Sequence, residues 1–201
     1  LSGVSVVLTD PDGIQSKAQN TDTAGAFRFE RVAPGIVNAR VETGGYLIQV
    51  APLEVQAHHE SAVDLMLRPQ PKESKVVVTA HEIAIKDQIQ FALDSAVILP
   101  DSYGILTEIA DTIVRTPEIK RIEIQGHTDN TGSPVHNKKL SEARAEAVRV
   151  WITSHGVEAN RLVSRGYGQD KPLVPNVTAE NRARNRRVQF IILERAESKK
   201  P

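Results

Sequence analysis

The sequence predicts two domains, an N-terminal all-β sandwich over residues 1–68 and a C-terminal two-layer α/β sandwich over residues 76–195. Three observations predict this. Apolar residues recur at every second position in the first third of the chain and at helical spacing beyond it. Turn residues punctuate that first third about every ten residues, which suits short antiparallel strands. Between the two patterns lies Arg68-Pro-Gln-Pro-Lys-Glu-Ser-Lys75. Its two prolines and four charges suit an extended spacer, so residues 69–75 are read as a linker. Residues 196–201 are read as a tail.

The elements follow in order. Val4, Val6 and Leu8 alternate along a first strand, Phe27 and Phe29 along a second, Val37, Ala39 and Val41 along a third, and Val63, Leu65 and Leu67 along a fourth. The breaks are Asp10-Pro-Asp-Gly13, Ala24-Gly25, Ala33-Pro34-Gly35 and Gly44-Gly45, all residues that supply turn geometry. Beyond the linker, Ile105, Leu106, Ile109 and Ile113 form one apolar helix face. Asp101 or Ser102 is its expected cap and Pro117 its end. Arg121–Gln125 reads as a strand. A helix is expected from near Lys138, striped by Leu140, Ala143, Ala147, Val148 and Trp151 and stopped at Gly156. Leu162 and Val163 open a strand before Gly166. Thr178 caps a third, arginine-rich helix, and Val188, Phe190 and Ile192 alternate along the last strand. Strands alternating with helices imply one sheet with helices on one face.

Composition narrows function by exclusion. There are 25 basic and 25 acidic residues. Residues 1–75 carry 7 basic and 9 acidic groups, and residues 76–201 carry 18 and 16. This balance gives no bulk attraction to nucleic acid or anionic lipid. Arg182, Arg184, Arg186 and Arg187 cluster without interleaved aromatics, a poor nucleic-acid site. With no cysteine there is no disulfide, thiolate ligand or catalytic thiol. No apolar run approaches the ~18–20 residues of a membrane helix. The chain opens inside strand pattern, as expected for a fragment of a longer exported precursor.

The stretch Gly126–Ala145 carries the chemistry. Asp129 falls on a loop at a strand end and Arg144 two turns into the next helix. A carboxylate and a guanidinium at such a junction can hold the ammonium and carboxylate of a zwitterion. The alternative is an ion pair that pins the loop to the helix. Gly126-His127-Thr128-Asp129, Gly132, Asn137, Leu140-Ser141 and Arg144-Ala145 together resemble the OmpA-like peptidoglycan-binding domain. Ile89 to Ala96 with Leu99-Pro100 resembles that family's first strand and loop. Arg161-Leu162, Gly166-Tyr167-Gly168, Pro172 and Asn181-Arg182 through Asn185-Arg186-Arg187-Val188 fit its second half, so the likeness covers roughly Val76–Glu194.

The resemblance implies non-catalytic binding of peptidoglycan through the diaminopimelate of its stem peptides. Asp129 would take the ammonium, Arg144 the carboxylate, and Asn137 would hydrogen-bond from the loop side. Thr128 and Asp94 would offer backbone N–H groups, with Asp94 at the pocket rim, and Arg186 and Arg182 would complete the site. His127 is read as a loop or core histidine. His136 stands where the family often has an aromatic residue. No metal, cofactor, enzymatic activity or nucleic-acid partner is implied. His127, Asp129 and His136 as a zinc set is the weaker use of Asp129. The implied setting is the periplasmic face of a Gram-negative outer membrane or cell envelope, with a β-barrel or lipid anchor upstream. A structural or adhesion module with a degenerate murein site is the alternative. In the first domain, the Asp10–Gly13, Thr21–Phe29, Val32–Gly35 and Gly45-Tyr46 segments resemble the carboxypeptidase-regulatory-like, transthyretin-like domain, a spacer or adhesive module lacking its first strand here.

Overall fold

The computed structural model describes residues 1–10 and 14–196. The turn expected at residues 10–13 and the tail 196–201 therefore lie outside the described residues, apart from Asp10 and Ala196. The chain divides into two compact units, residues 1–72 with 153–158, and residues 73–152 with 159–201.

The first unit contains one antiparallel sheet. Its strands are β1 (Ser5–Thr9), β2 (Gln15–Asn20), β3 (Gly35–Val41) and β4 (Gln49–Val55), in the order β2-β1-β3-β4. Val6, Leu8, Ala39 and Val41 are buried, as period-two alternation requires. The alternation at Phe27–Phe29 and Val63–Leu67 also predicts strands, and here the structure differs. Burial alternates along both segments, but neither forms a ladder. Phe27, Phe29, Leu65 and Leu67 instead pack against Val4, Val6 and Val41. A cavity of about 1270 Å³ remains in this unit, lined by Val6, Phe27, Phe29, Val41, Leu65 and Leu67 among others. Side-chain burial alone enforces their alternation. Conversely, β2 has almost no apolar residues and β4 contains Pro52, so neither is visible as a hydrophobic pattern. Both are edge strands, recruited by backbone pairing, and an edge tolerates proline.

The expected linker is tied at both ends. The Gln70 N–H donates to the Gly45 carbonyl, and Pro69 bridges Tyr46. In the second unit, the Glu108 carboxylate accepts from the Lys75 N–H at 2.8 Å and from the Ser74 hydroxyl. Within the linker, residues 71–73 show no such bond.

The second unit is built from β5 (Val76–Val78), β6 (Glu82–Ile85), α1 (Tyr103–Arg115), β7 (Ile119–His127), α2 (Pro134–Thr153), β8 (Leu162–Gly168), α3 (Ala179–Asn185) and β9 (Arg187–Arg195). The sheet order is β5-β6-β9-β7-β8, with β7 and β8 parallel and the other pairs antiparallel. The strand expected at Ile89–Ala96 is absent. This segment is a loop closed by a single bridge between Phe91 and Ile98. Ile83, Leu106, Ile109, Ile113, Ile122, Ile124, Val148, Ile152 and Phe190 form the core. The Ser102 side chain does not cap α1; its hydroxyl accepts the Gln90 N–H at 2.7 Å. Arg161 binds the carbonyls of Ile113, Thr116 and Ile119, and so satisfies acceptors where α1 ends.

α2 departs most from its sequence pattern. It starts at Pro134, a full turn before Lys138, because proline suits a first helical position and the Ser133 hydroxyl accepts the His136 N–H at 3.2 Å. Its buried positions are Asn137, Ser141, Ala145, Val148 and Ile152, whereas Ala143 is exposed. Small residues face the sheet because the backbones touch there. A Cβ on Gly126 would stand 2.1 Å from the Ser141 carbonyl oxygen, and one on Gly166 2.3 Å from the Glu142 nitrogen. α2 also caps the edge strand. Glu142 accepts the Gly166 N–H at 2.6 Å, Ser141 accepts the Gly168 N–H at 2.8 Å, and Lys138 donates to the Gly166 carbonyl at 2.5 Å. These bonds occupy backbone groups that an open edge would offer to another strand.

Candidate functional site

The site lies where β7 ends and α2 begins. Asp129 is two residues beyond the strand, and its side chain is 8% exposed. One carboxylate oxygen accepts the Thr131 N–H at 2.8 Å and the other accepts Arg186 Nη1 at 2.6 Å. Burial pushes this carboxyl up, but Arg186 and the Thr131 donors outweigh burial and hold it below its ordinary value. Asn137, buried in the first turn of α2, fixes the loop. Its amide donates to the carbonyls of Asp129 at 3.3 Å and Thr131 at 3.0 Å, and to the Gln169 side chain at 2.9 Å.

Arg144 is held separately. Its Nε donates to the Ser95 carbonyl at 2.8 Å, and its guanidinium carbon lies 5.0 Å from the Phe91 ring centroid. Burial lowers its pKa below the ordinary value; the Asp94 carboxylate opposes this and Arg186 adds to it. An arginine remains cationic throughout any working pH range. Among the described residues, its terminal nitrogens have no hydrogen-bond partner. A planar fork with one edge anchored and the other free can accept a carboxylate.

Asp129 and Arg144 do not pair with each other. The ion-pair alternative, a loop pinned to α2, is therefore not the arrangement found; Asp129 binds Arg186 from the far end of α3. The charges of Arg186 and Asp94 both reach Arg144, and Arg186 also binds Asp129, so Arg186 links the two halves of the candidate site. Two expected contributors do not take their expected roles. The Thr128 N–H already donates to the Gly168 carbonyl at 2.9 Å, so it is not free for a ligand. Arg182 turns to the Asn176 carbonyl at 3.2 Å, helping to hold the loop before α3. The amide nitrogen of Asn137 is occupied by the protein and positions the Asp129 loop. His127 is buried at the end of β7 and stacks on Tyr167 with ring centroids 5.4 Å apart. Its environment lowers its pKa to about 4, chiefly through burial and then through Arg187 and Lys171.

Phe91, Ser95, Thr131 and Gln169 support the site and were not assigned roles in it from sequence. Phe91 and Ser95 are about fifty residues from Arg144, and a backbone carbonyl leaves no side-chain signature. Among the described residues, no group of three or more His, Cys, Asp or Glu residues could hold a metal ion. No helix among them is long and apolar enough to cross a membrane.

Residues 90–186 match the OmpA family. This match spans both Asp129 and Arg144. The chain is 36% identical over 124 residues to outer membrane protein A of Bordetella avium, covering 62% of this chain and 63% of that one. It is 38% identical over 104 residues to the peptidoglycan-binding protein ArfA of Mycobacterium bovis, covering 52% and 32%. The chain spans less than two thirds of the length of the curated relatives it matches. Among solved structures, the cell wall anchor of the T6SS from Pseudomonas aeruginosa matches with a TM-score of 0.52 and 29% identity, covering 61% of this chain and 89% of that one. The matched residues 90–186 lie in the second structural unit, apart from residues 153–158.

Proposed function

We propose that the OmpA-like domain is a non-catalytic murein-binding module that tethers an envelope component to the cell wall. The reading rests on one observation above all. Asp129 and Arg144 are each oriented by their own scaffold, through Thr131 and Arg186 in one case and Ser95 in the other, and neither neutralises the other. An ammonium and a carboxylate on one carbon match that pair, which makes the free end of diaminopimelate the proposed ligand. Arg186 is released from Asp129, or shared with the ligand carboxylate, as the ammonium arrives. ArfA and the T6SS cell wall anchor, both named for wall association, support the reading. The setting is the periplasmic side of an outer membrane. Weak single contacts suffice there, because a polymer presents many sites at high effective concentration. The first unit is proposed as a spacer of carboxypeptidase-regulatory-like type.

Calorimetry with soluble stem peptides tests this. Diaminopimelate peptides should bind about ten- to hundredfold more tightly than lysine counterparts, the equivalent of one charge-assisted hydrogen bond. Arg144→Ala should erase that preference, and Asp129→Ala should weaken both ligands at least about thirtyfold. Equal wild-type affinity for the two peptides would remove Arg144 as the carboxylate reader. One observation favours a second reading: Arg186 already occupies Asp129 at 2.6 Å. An adhesion or structural module with a degenerate site would keep that bond and show no heat with either peptide.

A further inference from the structure

The rim of the site carries a contact that the clamp itself does not use. His136, in the first turn of α2, places Nε2 2.6 Å from Oδ1 of Asp94. The two side chains are 52% and 63% exposed, so protons and ligand both reach the pair. Asp94 has a φ of 48°, a left-handed conformation that aspartate and asparagine adopt more readily than other residues with a side chain. The turn is closed by the Ser95 N–H donating to the Ala92 carbonyl and by the Ala92 N–H donating to the Val97 carbonyl. The next residue, Ser95, presents the carbonyl that anchors Arg144. One turn therefore brings together the carboxylate that binds His136 and the acceptor that aims Arg144.

Asp94 is close enough for its charge to act on the Arg144 guanidinium. A ligand carboxylate arriving at Arg144 thus meets a second anion. Neutral His136 can hydrogen-bond to Asp94 but leaves its charge in place, whereas protonated His136 cancels it. We propose that the His136–Asp94 pair is a proton-sensitive rim that sets how strongly Arg144 captures the ligand carboxylate, with binding tightening as His136 takes up a proton. This inference rests on the zwitterion-clamp reading. The other charged groups linked to the rim are Arg144 on α2, on which Asp94 and Arg186 act, and Asp129 after β7, which pairs with Arg186. The cations stay charged across the imidazole range, and Asp129 is held ionised by Arg186 and Thr131. His127 does not compete as the titrating group, because its proton uptake is displaced to about pH 4.

The test is calorimetry of the whole chain with an N-acetylated diaminopimelate stem tripeptide at about pH 8 and about pH 5.5, the span in which histidines act as switches. Wild-type affinity should rise about two- to fivefold at the lower pH, the range an exposed ion pair supports. His136→Phe should bind with the same affinity at both values. Asp94→Asn, a residue that tolerates the left-handed turn, should be tight and pH-independent. A lysine peptide, which lacks the second carboxylate, should show no such rise. Wild-type binding that is equal at both values, or a rise that survives in His136→Phe, overturns the rim while leaving the clamp standing. Absence of wild-type binding at both values overturns the clamp and the rim with it.

Discussion

His127 closes β7 with neither ring nitrogen bonded to any described residue, and Thr128 beside it has a buried, unpartnered hydroxyl. The imidazole is stable there only as the neutral form, which explains its pKa of about 4. The sign of the consequence is fixed. The unfolded chain takes up a proton on His127 near pH 6.5 and the folded chain does not until about 4. Stability contributed by the neutral ring is therefore complete above the unfolded value and falls as pH drops between the two. The slope is at most about 1.4 kcal/mol per pH unit. Urea unfolding at pH values across that window should show the decline, and His127→Gln should flatten it. Asp129 follows the same logic one step lower, since its depressed pKa makes its contribution vanish only below the ordinary carboxylate range. At this scale, Asp129 and Arg144 were legible as a pair of residue types at a spacing. Their true partners, Arg186 and Ser95, were not, because contacts across 57 and 49 residues have no local pattern.

The packing of α2 on the sheet decides where Arg144 sits. The helix runs over Gly126 and Gly166 at backbone contact, and any larger side chain there must lift it. Gly126→Ala should destabilise the domain by at least about 3 kcal/mol, the upper end of overpacking, and a thermal melt should show the drop. Asn137→Ala should cost about 1–3 kcal/mol by leaving buried carbonyls without a donor. It should also weaken peptide binding by loosening the Asp129 loop, and fluorescence of Trp151 during unfolding gives the stability measurement. Of the stripe expected on α2, Leu140, Ala143, Ala147, Val148 and Trp151, only Val148 is buried. The pattern could not show that Gly126 and Gly166 on the facing strands bring the α2 backbone into contact at Ser141 and Glu142. The α1 face, by contrast, emerged as read, with Ile105, Leu106, Ile109 and Ile113 all buried.

At the scale of the molecule, every group assigned to the clamp and the rim lies in the second unit. Residues 73–201 alone should fold and bind sacculi as well as the whole chain, and residues 1–70 alone should not. A pull-down on purified sacculi checks both, and binding by the shorter fragment would defeat the spacer reading. The sequence by itself determined that the chain has two parts, that the second alternates strands with helices, and that a carboxylate follows a strand and a guanidinium lies on the next helix. These are local properties, carried by apolar period, by turn residues and by motif spacing. Only the tertiary structure decided that Phe27–Phe29 and Val63–Leu67 cover a sheet without joining it, since alternation reports burial and not ladder partners. It alone assigned Arg186 to Asp129 and set His136 against Asp94. Long-range polar pairing depends on distances between elements, and nothing in a run of residues fixes those distances until the core has packed.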